Sequence, residues 1–289
     1  MNSGVTPSPD GFLLPADTTP SFNVELPTLK SLYIEMRFGE QVLGSGTAFL
    51  VSDDKDSPCA LITNRHNVTG RRQDTDECLD RHGGLPDNIV IHFHKNIPDI
   101  GEWNEVTLPL YRDDGTPYWI EHPRLGAAVD VVALNLNWDT DVRRIPYYLK
   151  LDLDRVGMLV GPAETVSVIG FPFGLSSVRK FPIWATGFMA QELTLVTPDN
   201  PVFLIDCRTR QGQSGSAVVA FRASGYRKYL NGKVSSSLSG QQAWEFLGIY
   251  SGRVNSESDI GRVWHVSAIE EVYAAALADM ANRVVKPEA

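Results

Sequence analysis

The sequence predicts an all-β fold, in which two sets of antiparallel strands are followed by a C-terminal α-helix. Short apolar segments recur between residues 32 and 266, and clusters of turn-forming residues separate them. After residue 267 the hydrophobic residues change to helical spacing. The chain has 289 residues, of which 43% are hydrophobic, so it can bury two barrel-sized cores without disulfides or metals.

The first set of strands follows a predicted extended arm, residues 1–28, in which five prolines lie among Ser, Thr and Asp residues. It begins at Leu32, where Leu32, Ile34 and Met36 alternate with other residues and share one face with Phe38. We assign residues 29–155 to this first half. Its remaining strands are predicted over residues 46–52, 59–63, 89–94, 106–111 and 130–136.

The second half, residues 156–266, is predicted to contain six further strands. Residues 222–242 are rich in Ser, Gly and Lys and are predicted to form a long hairpin loop. The last segment, residues 267–289, contains a helix that extends to Val285, with Ser267 and Glu270 as a capping box at its start. The six strands are predicted over residues 165–171, 183–190, 202–207, 215–221, 246–251 and 262–266.

The charge and the cysteine content narrow the classes of partner and the compartment. Asp and Glu number 35 against 26 Lys and Arg, and the net charge of −9 argues against broad affinity for nucleic acid or an anionic membrane. The N-terminal residues lack the basic and apolar regions of a signal peptide. Three cysteines without paired spacing, Cys59, Cys78 and Cys207, favour a reducing, cytoplasmic location, with Cys59 and Cys207 as packed core thiols.

Three separated segments contain the residue types of an activated serine nucleophile, in the order His, Asp, Ser. His66 follows the apolar segment 60–63, Asp130 precedes another apolar run, and Ser214 lies within Gly212–Ser216. A serine hydroxyl needs an imidazole to take its proton and a buried carboxylate to fix the tautomer of that imidazole. Glycines beside the serine let backbone N–H groups approach a reacting carbonyl.

Five segments occur in the order found in one protease family: Gly44–Val51, Leu61–Val68, Val168–Gly174, Ile205–Cys207 and Leu247–Ile249. On these segments the chain resembles the trypsin-like serine proteases of the chymotrypsin fold, and most closely their bacterial branch without disulfides. The resemblance spans about residues 30–268. It implies two six-stranded antiparallel β-barrels, an active-site cleft between them and a terminal helix packed on the second barrel. It also implies an endopeptidase that cleaves polypeptides without a cofactor or a metal.

Carried over residue by residue, the resemblance implies that Ser214 is the nucleophile, His66 the general base and then acid, and Asp130 the orienting carboxylate. The backbone N–H groups of Gly212 and Ser214 would form the oxyanion hole. Gln213 replaces the Asp or Asn that commonly precedes the nucleophile in the family, a mild change because this position mainly shapes the loop. The implied partners are a polypeptide substrate and, left open, a protein activator or targeting partner.

Candidate substrate-binding residues flank the nucleophile in the sequence. They are Thr209, Arg210, Ser251 and Arg253. Arginines just before the nucleophile, Arg208 and Arg210, would favour an acidic side chain, because a guanidinium pairs with a carboxylate in fork geometry. The alternative is that these arginines face solvent or pair with local carboxylates.

Two other functions fit parts of the same pattern. A catalytically silent scaffold that acts as a binding or regulatory module is the alternative to the enzyme, because a fold alone does not fix activity. The α/β-hydrolases also place a serine between glycines, and Asp259 and His265 would then complete the triad. That arrangement needs a helix directly after the serine, whereas residues 217–221 have the pattern of a strand.

A structural zinc site is a further alternative. Cys78 and His82 have C-x3-H spacing, and His92 and His94 lie on one face of a predicted strand. The loop between the two pairs has no zinc-finger spacing, so the prediction remains that no metal is bound.

Overall fold

The structure is a computed structural model that describes residues 24–138, 141–150, 153–238, 242–255 and 257–285. It consists mostly of strands with a C-terminal helix, which confirms the predicted all-β class. Most of the predicted N-terminal arm lies outside the described residues. Its last part is helical rather than extended, since a short helix, α1, spans Leu26–Lys30. Pro27 lies in the first turn of this helix, where a missing N–H is tolerated.

The first half forms one eight-stranded sheet, which curls as a half-barrel. Strands β1 to β8 are Ser31–Phe38, Gln41–Ser52, Ala60–Thr63, Asn88–His94, Trp103–Pro109, Trp119–Ile120, Val132–Asn135 and Tyr147–Tyr148. Their order is β5-β4-β1-β2-β3-β7-β6, with antiparallel neighbours, and β8 pairs in parallel with β2. The prediction of six strands lacked β6 and β8, because two-residue strands are too short to show a hydrophobic period.

The second half is a closed barrel of six strands, as predicted. A separate two-stranded hairpin follows β12 and lies within the predicted long hairpin loop. A single 3₁₀ turn spans Leu193–Leu195, and two further tight turns, Pro172–Gly174 and Val178–Lys180, contain a residue of positive φ, Phe173 and Arg179. Strands β9 to β16 are Thr165–Gly170, Ile183–Met189, Val202–Asp206, Ala217–Arg222, Tyr226–Leu230, Lys233–Ser237, Ala243–Arg253 and Ile260–His265, and β13 and β14 form the hairpin.

Each half buries its own apolar cluster, and a third cluster joins the two halves. Phe49 and Ile62 of the first sheet and Ile169 and Phe246 of the barrel belong to this shared cluster, and all four are almost completely buried. Burial of a large apolar side chain stabilises a protein by roughly 1.5–3 kcal/mol. The shared core therefore fixes the two halves, and the residues at their junction, relative to each other.

The C-terminal helix α3 spans Val266–Val285 and packs against both halves. Ile269 and Tyr273 are buried in the shared cluster, and the Tyr273 hydroxyl donates a 2.6 Å hydrogen bond to the carbonyl of Pro58. The predicted packing on the second barrel alone was therefore incomplete. Within the described ranges, no helix is both long and apolar enough to cross a membrane.

The start of α3 differs from the predicted capping box. The Nδ1 atom of His265 lies 3.3 Å from the backbone nitrogen of Ser267 and 3.0 Å from its hydroxyl oxygen. The imidazole therefore accepts a hydrogen bond from the backbone N–H of Ser267 in the first turn of α3. Burial lowers the pKa of His265 to about 4, which keeps the ring neutral and able to accept. Glu270 instead forms an ion pair with Arg155.

The three cysteines are free thiols. Cys59 and Cys207 are buried, as predicted, and burial raises the pKa of Cys207 to about 11. Cys78 is half-buried and donates to the carbonyl of Gly84 at 3.4 Å.

Candidate active site

His66 lies on a one-turn helix, α2 (Arg65–Thr69), which directly follows β3. The helix ends at Gly70, whose left-handed conformation (φ 67°) lets its N–H donate back to the carbonyl of His66. A side chain at Gly70 would also meet the ring of Pro86 at 2.5 Å. The turn that places His66 at the strand end thus depends on a glycine.

Asp130 is completely buried just before β7, and its carboxylate accepts three hydrogen bonds. Its Oδ1 accepts from the backbone N–H of His66 at 2.9 Å, and its Oδ2 accepts from His66 Nδ1 at 2.6 Å and from the Ser251 hydroxyl at 2.5 Å. These donors compensate the desolvation of the carboxylate. With Nδ1 donating to Asp130, the neutral imidazole has its basic lone pair on Nε2.

The loop that contains Ser214 is anchored to the first sheet through Thr47. The Thr47 N–H donates to the carbonyl of Ser214 at 2.9 Å, and its hydroxyl donates to the carbonyl of Gly212 at 3.1 Å. Gly215 approaches so closely (φ 87°) that a Cβ there would lie 1.9 Å from the Thr47 carbonyl oxygen. The glycine after the serine is therefore required by this close contact between the halves.

The backbone N–H groups of Gly212 and Ser214 donate to no acceptor among the described residues. The carbonyl of Gln211 accepts from the Phe173 N–H, and because a trans peptide holds C=O and N–H on opposite sides, the Gly212 N–H points away from Phe173. Gly212 has φ 90°, and a Cβ there would meet the Phe171 carbonyl at 2.4 Å. The N–H groups of Gly212 and Ser214 thus have no acceptor among the described residues.

One cleft of ≈ 360 Å³ brings the candidate groups together. It is lined by His66, Gly212 and Ser214, with Asn67 and Ser45 beside them. The His66 side chain is 12% exposed, whereas Asp130 behind it is fully buried. Among the described residues, no hydrogen bond joins the Ser214 hydroxyl to the His66 imidazole.

The sequence profile of the trypsin-like peptidase domain matches residues 46–224, more than half of the chain. The chain belongs to the trypsin-like peptidase family. The matched range contains His66, Asp130 and Ser214, whereas Ser251 lies beyond it.

In a comparison with solved structures, a serine endoprotease has a fold similar to that of this trypsin-like peptidase chain. A serine endoprotease from Yersinia pestis is 14% identical with a TM-score of 0.50, over 87% of this chain and 64% of that chain. The chain thus spans somewhat less than two thirds of that protein's structure. A protease from M. tuberculosis, in its active form, is 18% identical with a TM-score of 0.44, over 86% of this chain and 81% of that chain. A comparison with curated proteins finds no match.

The four candidate substrate-binding residues have different surroundings. Thr209 is buried and its hydroxyl bonds to that of Tyr250, so it does not face the cleft that contains Ser214. Arg210 lies 3.5 Å from Asp259, which Arg208 also approaches at 3.8 Å. This pairing with a local carboxylate is the alternative left open for the two arginines.

The other two candidates also differ from each other. The Ser251 hydroxyl donates to Asp130 and so belongs to the hydrogen-bond network of His66. Arg253 is exposed at the cleft on the side of β15. Gln213 is buried, and its Oε1 accepts from the backbone N–H of Arg210 at 2.8 Å, within the nucleophile loop.

The α/β-hydrolase alternative is wrong. The strand β12 follows Ser214 at residue 217, where that fold needs a helix. His265 caps α3 and Asp259 pairs with Arg208 and Arg210, so neither is available as a triad partner.

The residues proposed for a zinc site are separately engaged. His94 donates to the carbonyl of Leu29 at 2.9 Å, and His92 lies 3.3 Å from Lys180 Nζ. Cys78 bonds to a backbone carbonyl, and Arg81 contacts His82. In the part of the chain that the structure describes, no three His, Cys, Asp or Glu residues are grouped to hold a metal ion.

Two residues of the site had no assigned role in the sequence analysis. Thr47 lies in the matched Gly44–Val51 segment, but its contacts with residues 212 and 214 join positions about 165 residues apart. Asn64 precedes His66 and donates from Nδ2 to the Asp130 carbonyl at 2.7 Å. The threonine and the asparagine were visible in the sequence, yet only the fold shows that they fix the loops of the nucleophile and the carboxylate.

Proposed function

We propose that the chain is a serine endopeptidase that hydrolyses polypeptides through an acyl-enzyme. In this proposal Ser214 is the nucleophile and His66 is the general base and then acid. Asp130 is the carboxylate that orients the His66 imidazole and stabilises its positive charge during the reaction. The observation that supports it is the position of the His66 imidazole: Asp130 holds its Nδ1, and its ring lines the same cleft as Ser214. Family membership adds that the substrate class is polypeptide.

In acylation, Ser214 Oγ attacks the carbonyl carbon of the peptide bond while its proton passes to Nε2 of His66. The carbonyl oxygen becomes negatively charged and accepts from the N–H groups of Gly212 and Ser214, which have no other described acceptor. The C–N bond then breaks, the amine takes the proton from His66, and an ester to Ser214 remains. Water repeats the sequence on this ester and releases the carboxylic acid.

The buried charge of Asp130 is what makes the imidazolium accessible as an intermediate. A carboxylate at 2.6 Å from Nδ1, with no exposure to water, stabilises the positive ring more than a solvated one would. Asp130 keeps its charge in each step, and its three donors hold it in place. Every proton transfer in this scheme uses groups of the chain, water and the substrate.

Labelling with a fluorophosphonate probe tests the proposal. We expect covalent modification of the peptide that contains Ser214, its loss in Ser214→Ala and its strong reduction in His66→Ala. The Ser214→Ala change should also lower kcat on an unfolded protein substrate by a factor on the order of 10⁴ or more, without unfolding the chain. Ser236→Ala, on the exposed hairpin, is the matched control and should label like the wild type. Equal labelling of wild type and Ser214→Ala would contradict the assignment.

A catalytically silent scaffold is the second candidate. It is favoured by one observation: the Ser214 hydroxyl and the His66 imidazole share a cleft without a described hydrogen bond between them. Both groups must meet for the scheme above, so the scaffold predicts no probe labelling under any condition. An enzyme that awaits a protein activator predicts labelling of the purified chain only after cell extract is added.

We also propose that the protein works in the cytoplasm and binds neither nucleic acid nor membrane. Three free thiols and the net charge of −9 support this location and this choice of partners. Fractionation of cells that produce the chain tests it, and recovery with membranes or in an oxidising compartment would contradict it.

A further inference from the structure

Two adjoining cavities, of ≈ 210 and ≈ 290 Å³, extend from the candidate nucleophile along the end of β15. His66 and Ser251 line the first, and Ser214 lines the second. Both are bordered by Gly252, Arg253 and Val254. We call these two cavities the β15 side of the cleft. It is concave and continuous with the candidate nucleophile.

The lining of the β15 side is strongly cationic. Four arginines line it, Arg72, Arg210, Arg253 and Arg262, against one lining carboxylate, Asp74. The whole chain has a net charge of −9, so the sign of the charge here is opposite to that of the protein. A cluster of one sign in a concave site concentrates ligands of the other sign.

The local carboxylates offset only part of this charge. Asp74 lies 3.3 Å from Arg72, and both side chains are more than half exposed, so this pair contributes little energy and is open to competition. Asp259 neutralises Arg210 at 3.5 Å. Arg262 is half-buried on β16 and makes no side-chain hydrogen bond or ion pair with a described residue. Among the described residues, two of the lining arginines thus have a carboxylate partner, Arg72 and Arg210, whereas Arg262 has none.

The opposite side of the cleft has a different character. The ≈ 360 Å³ cavity that His66 and Ser214 share is bordered by the apolar Met36, Leu43 and Pro86 and by one charge of each sign, Arg72 and Asp80. The apolar side chains offer contact area, and the single arginine is offset by a carboxylate, so this side has no excess of positive charge. A bound polypeptide would therefore meet an excess of positive charge on one side of Ser214 and a largely apolar lining without net charge on the other.

We propose that the cleft selects polypeptides with glutamate or aspartate in the segment that lies along the β15 side, and that Arg72 and Arg262 are specificity-determining residues. This inference rests on the proposed function for its biological meaning, but the charge pattern is independent of the chemistry at Ser214. A guanidinium holds a carboxylate by two parallel N–H···O bonds, which an amide or an ammonium group cannot match. The net negative charge of the rest of the surface repels acidic chains elsewhere, which confines their binding to this cleft.

The arginines that would select acidic residues are thus Arg72 and Arg262 and not the pair expected from the sequence. Arg208 and Arg210, the pair before the nucleophile, share Asp259. Arg72 comes from the loop after α2, and Arg262 from β16, so residues distant in sequence supply the cationic lining.

Binding to the Ser214→Ala variant tests the proposal without any turnover. The probes are a short fluorescent glutamate-rich peptide, its glutamine counterpart and its lysine counterpart, and the readout is fluorescence anisotropy at low and at physiological salt. We expect the glutamate peptide to bind at least about tenfold more tightly than the glutamine peptide, with a preference that shrinks as salt rises. Equal affinities, tighter binding of the lysine peptide, or no binding of any peptide would overturn the proposal.

Variants in the same background locate the effect. Arg262→Gln and Arg72→Gln should each weaken binding of the glutamate peptide by about three- to tenfold and leave the glutamine peptide unchanged. Arg227→Gln, which removes the same charge on the exposed hairpin, is the matched control and should have no effect. An equal loss in the control would mean that the overall charge of the chain controls binding, and it would overturn the specific roles of Arg72 and Arg262. Two independent arginines keep the test decisive if one variant does not fold.

Cleavage of a peptide library by the wild type then separates this inference from the proposed function. Cleavage with acidic residues enriched on one side of the cut supports both. Cleavage with neutral or basic residues there overturns the specificity and leaves the peptidase intact. Absence of cleavage and of Ser214 labelling, together with selective binding of the glutamate peptide, overturns the peptidase and leaves an acidic-peptide binding cleft.

Discussion

Asp130 and Asp154 are both completely buried, and they solve the same physical problem in similar ways. Asp130 accepts from one backbone N–H, one hydroxyl and one imidazole. Asp154 accepts from the Tyr148 N–H, from Trp244 Nε1 and from Lys30 Nζ, at 2.7 to 2.8 Å. Each carboxylate thus has a cationic or ionisable partner and two neutral donors that compensate its desolvation.

The partners differ in their access to water. The side chain of Lys30 is 1% exposed, donates to the Pro146 carbonyl as well, and lies over the ring of Tyr147 at 4.8 Å from its centroid. Burial lowers the pKa of Lys30, and the adjacent Asp154 opposes this shift. The His66 side chain is 12% exposed and borders the cleft on both sides of Ser214.

The exposure of the partner therefore distinguishes a buried carboxylate with a structural role from one that can take part in a reaction. The Lys30–Asp154 pair joins the N-terminal helix to the segment between the two halves, and no proton can reach it from a substrate. In the His66–Asp130 pair, the carboxylate is buried, whereas the imidazole is partly exposed to the cleft. A substitution in the fully buried Lys30–Asp154 pair should therefore change stability, and one in the His66–Asp130 pair should change activity.

The largest expected effect is that of Asp130→Asn on catalysis. The asparagine oxygen can still accept, but its amide group would donate to His66 Nδ1 and so place the ring proton on Nε2, where it cannot take the proton of Ser214. We expect kcat to fall by a factor on the order of 10⁴ with a small change in the free energy of unfolding. Steady-state kinetics and urea unfolding measure the two quantities. A variant that keeps its activity would show that the His66–Asp130 pair is not used in the way proposed.

Lys30→Met should have the opposite signature. It leaves Asp154 buried with two neutral donors and no cation, and breaking a buried pair in this way costs about 3–5 kcal/mol of unfolding free energy. The activity of the folded fraction should remain, since Lys30 lies outside the candidate cleft. Lys150→Met is the matched control: its pair with Asp53 is at the surface, where the lysine is 71% exposed, and the change should cost at most about 1 kcal/mol. Similar losses in both variants would remove the distinction between buried and exposed pairs.

The same contrast marks what the sequence could and could not predict. The longer strands and the terminal helix follow from local pattern, because hydrophobic period and turn residues are local properties, and the order His66, Asp130, Ser214 can be read directly from the sequence. The Lys30–Asp154 pair joins residues 124 positions apart, and nothing in either local sequence indicates it. The contact of the Ser251 hydroxyl with Asp130 could not be predicted for the same reason, since the two residues lie 121 positions apart in different halves of the chain.

Acidification should destabilise the folded chain through its buried histidines. Burial lowers the pKa of His94 to about 4, as it does for His265, whereas an unfolded chain has histidines near 6.5. Between these values the unfolded state binds protons that the folded state does not, so stability falls as the pH decreases from 6.5 to 4. The expected loss is on the order of 3 kcal/mol for each histidine.

Urea unfolding between pH 7 and pH 4 measures this loss, and His94→Gln isolates one part of it. The glutamine keeps a donor for the Leu29 carbonyl but does not titrate, so the curve of stability against pH should become flatter. A stability that is constant over this range in the wild type would contradict the assignment of His94 as a buried, neutral histidine.

Ser251→Ala is the smallest change and divides the two roles considered for this residue. As a donor to Asp130 at 2.5 Å, the hydroxyl positions the carboxylate, and its loss should lower kcat by about tenfold, the equivalent of one charge-assisted hydrogen bond. KM should stay near the wild-type value, because the main chain of residue 251 is unchanged.

If the Ser251 side chain instead binds the substrate, its loss should raise KM and leave kcat unchanged. Ser251→Thr restores a hydroxyl at the same position and should recover part of kcat if the contact with Asp130 is what matters. A rise in KM that Thr does not reverse would place Ser251 with the substrate, and Asp130 would then be held by His66 alone.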